Sequence, residues 1–360
     1  MSLELGMASL IFAMIHNEMV PDEFYMLRAF ELAKIGMGHV SPNPMVGCVV
    51  VQDQKIVGEG WHQKYGEAHA EVHAVNAVPD KSMLKGAVVY VNLEPCAHEG
   101  KTPPCAHMLA RHGVGRVVIA NVDPNSLVAG KGIRLLKESG AEVTVGVLEK
   151  EGLSLNRRFF TFLKHQRPFV ILKWAQTSDG FIARQNFDSK WISNVHSRQL
   201  VHRWRAEEDA LLVGYNTAAC DNPRLTVRDW TGKAPVRVVV DYRLGLPLSL
   251  HLFDGAIPTL CYNTVKDESK PNLEYVRIGQ PSAPGEILND LYNRGIQSLI
   301  VEGGAHTINN FIGTGLWDEA RVFTSPQNFE SGIPAPVLGG GPIKTECIEG
   351  DVLKVYGNGL

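Results

Sequence analysis

The sequence predicts an α/β protein built as two domains. Three observations lead there. The chain has 360 residues, and at about 100–200 residues per domain two domains is the natural division. Short valine- and isoleucine-rich runs alternate with amphipathic stretches, the pattern of helices layered on a sheet. That alternation breaks at a charge-rich stretch over 149–166 and restarts after Pro168. These signals divide the chain into a leader over 1–21 with no assigned role, a first domain over 22–166 and a second over 167–360.

In the first domain, residues 22–36 read as a helix with Met26, Phe30, Ala33 and Met37 on one face. Residues 45–51 form a continuous apolar run, which reads as a buried strand. Residues 87–93, 116–120 and 143–147 repeat that signal. Helical stretches lie near 68–78, 104–111 and 133–138, and Gly113 and Gly140 suit the ends of two of them. In the second domain strands are expected over 169–174, 210–213, 236–241, 298–301 and 321–324. Helices are expected over 197–205, 286–293 and 306–312. Gly339, Gly340 and Gly341 read as a loop, and no repeat or low-complexity segment is visible.

Composition narrows the function classes. Hydrophobic residues make up 44% and charged residues 20%, enough for packed cores and too apolar for disorder. No apolar run approaches the ~20 residues of a membrane-spanning helix. A net charge of −3 argues against a surface for long nucleic acid. The six cysteines lack disulfide-framework spacing. The apolar stretch from Met7 to Ile15 follows Glu4 and has no basic flank, so it does not read as a signal peptide. The expectation is a cytoplasmic protein with reduced thiols.

Chemistry concentrates in two places. In the first, His69-Ala70-Glu71 stands at the head of a helical stretch, Leu93-Glu94-Pro95-Cys96 ends a strand, and Cys105 follows Thr102-Pro103-Pro104. One imidazole and two thiolates make a three-ligand zinc site with an open fourth position. Water bound there loses a proton near neutral pH. Glu71 is spaced to shuttle protons without binding the metal, as in zinc deaminases. Eight residues separate the two cysteines here, whereas the deaminase signature has two. On residue chemistry alone three readings stay open: a catalytic zinc, a closed structural zinc with His73, His98 or His107 as fourth ligand, and a buried histidine with two inert thiols. Asn43, in Pro42-Asn43-Pro44, is placed to present an amide to a planar heterocycle. Lys101 is a candidate phosphate contact. In the second place, Val301-Glu302-Gly303-Gly304 ends a strand and opens a helix. Paired glycines there suit a phosphate approaching a helix N-terminus, but an ordinary tight turn fits equally well.

The strings HAEVHAV, LEPCAHEGKTPPC and DPNSLVAGKG, continued by LKWAQTSDG, SKWIS, CDNPRLTVR and VEGG, resemble the bifunctional riboflavin-biosynthesis deaminase–reductase family from about Asp22 onward. The resemblance implies a cytidine-deaminase-like N-terminal domain and a dihydrofolate-reductase-like C-terminal domain. It implies one zinc on His69, Cys96 and Cys105, Glu71 as proton shuttle, and Asn43, His62, His98 and Lys101 around the deaminase substrate. It implies NADPH bordered by Ala175, Trp191, Thr217, Asp221 and the segment from Gly304. Ser189, Arg205, Leu225, Arg228 and Glu302 would border the reductase substrate, with Lys173 close by. The implied chemistry is hydrolytic deamination of 2,5-diamino-6-ribosylamino-4(3H)-pyrimidinone 5′-phosphate. NADPH-dependent reduction of the ribosyl chain to a ribitylamino chain follows. Partners would be phosphorylated pyrimidines and further copies of the chain, with no nucleic acid and no membrane. Ser126 and Thr307 depart from the family's usual proline and leucine. Two competing readings are a nucleic-acid base deaminase, opposed by the net charge, and a non-catalytic zinc-stabilised binding protein, opposed by Glu71.

Overall fold

The computed structural model describes residues 21–97, 104–125, 129–279 and 284–359. The described residues fall into two compact units that meet in sequence at Lys164 and His165. The leader and the His98–Pro103 segment, with Lys101 and Thr102, lie outside the described residues, as does Ser126.

The first unit runs α1 (Asp22–Ile35), β1 (Gly47–Gln52), β2 (Lys55–Trp61), α2 (Ala70–Ala77), β3 (Val88–Leu93), α3 (Cys105–Arg111), β4 (Arg116–Asn121), α4 (Lys131–Glu138), β5 (Glu142–Val145), α5 (Glu149–Leu155) and α6 (Arg157–His165). The strands form one sheet in the order β2-β1-β3-β4-β5. β1 is antiparallel to both neighbours, and β3, β4 and β5 are parallel. Successive side chains of a strand point to opposite faces, and the packing follows that rule. Val49, Val51, Tyr90, Val118 and Ala120 pack with Met26, Ala29 and Phe30 of α1. Their strand neighbours Cys48, Val50, Val89, Val91, Val117 and Ile119 pack with Ala70, Ala74, Ala106, Leu109 and Leu136 of α2, α3 and α4. Both faces are therefore covered, which is why these strands read as unbroken apolar runs.

The second unit contains β6 (Phe169–Gln176), β7 (Phe181–Ala183), α7 (Val195–Glu207), β8 (Ala210–Gly214), α8 (Tyr215–Asp221), β9 (Val236–Val240), β10 (Thr259–Asn263), β11 (Glu268–Lys270) and β12 (Leu273–Arg277). α9 (Pro284–Asn293), β13 (Ser298–Val301), α10 (Ala305–Thr314), β14 (Glu319–Thr324), β15 (Ile333–Pro334), β16 (Lys344–Ile348) and β17 (Asp351–Gly357) complete it. Ten strands form one sheet, β11-β12-β10-β9-β8-β13-β6-β14-β17-β16, and β7 pairs with β15 apart from it. The strands from β12 through β10, β9, β8, β13 and β6 to β14 are parallel. Val201, Trp204 and Ala218 of α7 and α8 cover one face and Ile287, Leu291, Ile308 and Phe311 of α9 and α10 the other.

The expected elements are present with ends shifted by at most two residues, and three details stand out. α1 stops at Ile35, so Met37 lies in the following turn. The charge-rich stretch over 149–166 holds two helices, with Glu149, Lys150, Glu151 and Lys164 exposed while Gly152 and Phe160 are buried. Pro104 occupies the N-cap of α3.

Candidate active sites

In the first unit the site is assembled at the end of β3 and the starts of α2 and α3. His69 is the N-cap residue of α2, Cys96 follows β3 by three residues and Cys105 opens α3. His69 Nδ1 lies 3.6 Å from Cys96 Sγ and 3.4 Å from Cys105 Sγ. A tetrahedral zinc with bonds of about 2.3 Å to sulfur and about 2.0 Å to nitrogen has nitrogen–sulfur edges of about 3.5 Å, so the donor set fits that ion. Among the described residues this metal-ligating group holds only His69, Cys96 and Cys105. His73 and His107 stand outside it, and His98 lies outside the described residues. The Cys105 backbone N–H, at the head of α3, donates to Cys96 Sγ at 3.4 Å. The Cys105 side chain and His69 hold the Cys96 thiol well below its ordinary value against the burial that raises it, while the Cys96 side chain and burial push the Cys105 thiol up, so the metal-free pair keeps its proton on Cys105. A bound dication would displace that proton. Glu71, 3% exposed, is pushed up to about 7, first by burial and then by the Cys96 charge. It exchanges a proton readily at neutral pH.

Two buried asparagines build the wall opposite. Asn92, wholly buried in β3, takes the Gly47 N–H and donates to the Met45 carbonyl, 2.8 and 2.9 Å. Asn156 takes the Met45 N–H and donates to the same carbonyl, 2.8 and 2.9 Å. This double clamp fixes the backbone two residues beyond Asn43. The Asn43 amide donates to His62 Nε2 at 3.0 Å, and His62 Nδ1 donates to the Ala68 carbonyl at 3.0 Å. Burial holds the His62 pKa below its ordinary value, so the neutral ring can accept from Asn43. Glu94 ties the metal strand to α4: its carboxylate accepts the N–H groups of Gly130, Gly132 and Ile133 at 3.0–3.2 Å. Any residue larger than glycine at 132 would drive its Cβ to 2.0 Å from the Pro95 carbonyl. Neither Asn92, Asn156 nor Glu94 was among the expected site residues; only the Leu-Glu-Pro-Cys string signalled one of them.

In the second unit a cavity of about 930 Å³ opens along α7, α8 and the start of α10. Lys173, Ala175, Ser189, Trp191, Arg205, Thr217, Asp221, Leu225, Arg228, Glu302 and Gly304 all line it. Its floor is an ion pair. Arg205 Nε and Nη2 donate to the two Glu302 oxygens at 2.8 and 2.6 Å, and Nη1 to the Thr226 carbonyl at 3.3 Å. The Arg205 fork is therefore occupied by Glu302. Burial raises the Glu302 pKa, but Arg205 and Lys173 outweigh it and hold the carboxyl down to about 2. Burial lowers the Lys173 pKa, and Glu302 opposes it. The Gly304 N–H is taken by Thr217 Oγ1 at 2.8 Å, so it is not free for a phosphate. A Cβ on Gly214 would meet Thr307 Oγ1 at 2.2 Å, which is why β8 ends in glycine. Ser189 Oγ approaches Asp221 at 3.4 Å, and the Arg198 guanidinium lies 4.6 Å over the Trp191 ring. A cavity of this volume, glycine-rich at one helix start and lined by basic side chains, fits a dinucleotide.

Residues 168–347 match the family described as RibD C-terminal domain, and residues 19–121 match the cytidine and deoxycytidylate deaminase zinc-binding region. The riboflavin biosynthesis protein RibD of Aquifex aeolicus is 43% identical over 324 residues, 88% of this chain and 90% of its own length. The chain belongs to the RibD family. RibD of Escherichia coli is 36% identical over 326 residues, covering 85% of this chain and 88% of its own. The solved diaminohydroxyphosphoribosylaminopyrimidine deaminase/5-amino-6-(5-phosphoribosylamino)uracil reductase of Thermotoga maritima superposes with a TM-score of 0.86. It is 36% identical and covers 94% of this chain and 98% of its own. RibD of Acinetobacter baumannii gives 0.84 at 33% identity, covering 93% and 98%. As a RibD-family protein the chain is a bifunctional deaminase and reductase of riboflavin biosynthesis, with zinc and NADPH as cofactors. Among the described residues no helix is long and apolar enough to cross a membrane.

Proposed function

We propose a division of labour between the two sites. The site at His69, Glu71, Cys96 and Cys105 removes the 2-amino group of 2,5-diamino-6-ribosylamino-4(3H)-pyrimidinone 5′-phosphate. The cavity around Lys173, Arg228 and Glu302 then reduces the ribosyl chain to give 5-amino-6-(5-phosphoribitylamino)uracil. The deaminase domain spans 22–166 and the reductase domain 167–360. What carries the reading is the convergence of one imidazole, two thiols and a buried glutamate at the end of the central strand β3. Zinc, when bound by His69, Cys96 and Cys105, supplies Lewis-acid activation of the attacking water. Glu71 takes the proton of that water and passes protons to the ring nitrogen and the departing ammonia. Asn43, held by His62, orients the pyrimidine through its amide, and His98 and Lys101 complete the grip on the ribosyl phosphate.

In the reductase site NADPH, when bound, supplies the hydride. Ala175, Trp191, Thr217, Asp221 and Gly304 border the cofactor. Ser189, Leu225 and Arg228 hold the substrate, and the 5′-phosphate falls to Arg228, because Arg205 is spent on Glu302. Glu302 stays anionic and keeps Lys173 charged beside the ring-opened ribose, where C1′ receives the hydride. The reading needs no nucleic-acid or membrane partner and is compatible with a cytoplasmic enzyme, as a single chain or as a homo-oligomer.

A split assay tests it. Zinc-loaded protein is given the diaminopyrimidinone ribosyl phosphate, ammonia is followed without NADPH, and NADPH absorbance is followed after its addition. Ammonia first and NADPH consumption second are expected. Zinc bound with no ammonia released would overturn the deaminase assignment, and ammonia with no NADPH loss would overturn the reductase assignment.

A further inference from the structure

We infer that His202 is a positioning residue of the reductase: it holds the backbone of Arg228 and so aims that side chain into the cavity where the phosphorylated substrate binds. The inference rests on the reading of Arg228 as a substrate contact. Residues 222–228 form no helix or strand, yet they make one wall of the cavity through Asn222, Leu225 and Arg228. An irregular segment must find partners for its backbone groups elsewhere. α7 provides them. Arg205 takes the Thr226 carbonyl at 3.3 Å. One turn earlier on the same helix face, His202 Nδ1 accepts the Arg228 N–H at 3.2 Å.

The imidazole is committed on both sides. Its Nε2 faces the Asp229 carboxylate at 3.4 Å, so consecutive residues of the segment engage the two ring nitrogens. That arrangement requires the tautomer protonated at Nε2, because Nδ1 must accept. Histidine 202 is 4% exposed, and burial, with Arg205 and Arg228 nearby, keeps its pKa below the ordinary value while Asp229 and Glu302 oppose. The neutral ring is thus the resident form. Among the described residues the Arg228 guanidinium makes no ion pair, in contrast to Arg205. No ion pair aims it, and its backbone is held by His202.

The test measures reductase kinetics with 5-amino-6-(5-phosphoribosylamino)uracil and NADPH, using the full zinc-loaded chain. Arg228→Ala establishes the substrate contact by raising KM. His202→Leu, which keeps the volume but loses the acceptor, is expected to raise KM by roughly five- to tenfold, the worth of one buried hydrogen bond, with kcat nearly unchanged. His202→Asn carries an oxygen where Nδ1 lies and should restore KM. His202→Gln, whose polar atoms lie one bond further out, should not. Ammonia release from the first domain should be unchanged in all of them. A wild-type KM in His202→Leu alongside a raised KM in Arg228→Ala overturns the inference. So does equal behaviour of the Asn and Gln variants, or a fall in kcat that Asn leaves unrecovered, which makes His202 a packing residue. An unchanged KM in Arg228→Ala overturns the reading of Arg228 and this inference with it.

Discussion

Two buried glutamates, one in each unit, sit in opposite protonation regimes. Glu71 is pushed up to about 7 and Glu302 is held down to about 2. Burial acts on both in the same direction, so it cannot be the difference. The difference is the partner. Glu302 receives two short donors from Arg205 and has Lys173 beside it. Glu71 has a neighbouring thiolate that adds to its burial penalty, opposed by His69 and by hydrogen bonds to its own backbone and to Cys105. With no metal bound, a buried carboxylate beside a thiolate holds a proton near neutrality, and one with a fork-bound arginine becomes a fixed charge; zinc on His69, Cys96 and Cys105 would add a positive charge that lowers the Glu71 pKa. The two halves of the enzyme need those two things. Hydrolysis moves protons at a heterocycle, and hydride transfer needs a steady field around a reducible carbon.

Removing the proton carrier should have the largest effect. Glu71→Gln is expected to lower ammonia release by about 10²–10⁴-fold while zinc content, and NADPH oxidation with 5-amino-6-(5-phosphoribosylamino)uracil supplied directly, stay at wild-type levels. Retained ammonia release would take Glu71 out of the mechanism. Removing the cation should convert the second glutamate toward the first. Arg205→Ala leaves Glu302 buried and unpaired, and the reductase domain should lose roughly 3–5 kcal/mol in denaturant melts. Replacing both partners with apolar residues should recover much of that stability. If the single variant melts like wild type, the pair does not hold the cavity floor.

The contrast also predicts opposite pH behaviour in zinc-free protein. Glu71 has a folded pKa above its unfolded value, so its contribution is fully present below about 4.5 and is lost as pH rises through about 7. Between pH 5 and 8 wild type should lose about 3 kcal/mol relative to Glu71→Gln. Glu302 has a depressed pKa, so its contribution is complete above the ordinary carboxylate range and is lost only as pH falls toward about 2. It adds no slope between pH 5 and 8. Urea melts at the two pH values decide this, and parallel curves for wild type and Glu71→Gln would refute it. The smallest effect is expected at Glu94. Glu94→Gln turns an amide donor toward backbone N–H groups and should cost about 1–2 kcal/mol, with faster loss of zinc to a chelator. An unchanged chelation rate would show that the α4 tether does not support Cys96.

The sequence showed these features unevenly. Most buried strands of both units were legible because sheets covered on both faces are written as continuous apolar runs, but the fully buried β10 was missed because Thr259 and Asn263 interrupt its apolar pattern. β2 was not, because its glycines lie under α2, where a Cβ on Gly60 would come within 2.4 Å of the Ala74 N–H nitrogen. β16 was not, because its side chains are largely exposed and pairing with β17 alone makes it a strand. The helices α5 and α6 were hidden by their charge.

At the sites the same division appears. The metal ligands and Glu71 were readable because short-range spacing places them: His69 and Glu71 share one helix start, and Cys96 and Cys105 lie nine positions apart. The residues that aim them were not. Asn156 reaches Met45 across 111 positions, Arg205 reaches Glu302 across 97, and His202 reaches Arg228 across 26. The sequence by itself determined the two α/β domains, the donor chemistry of the zinc site and the family to which the chain belongs. Tertiary structure decided which arginine is spent on a carboxylate, which histidine holds an asparagine amide and which glutamate keeps a mobile proton. Those outcomes depend on burial and on partners brought together by folding, and neither is a property of a residue type or of its neighbours in the chain.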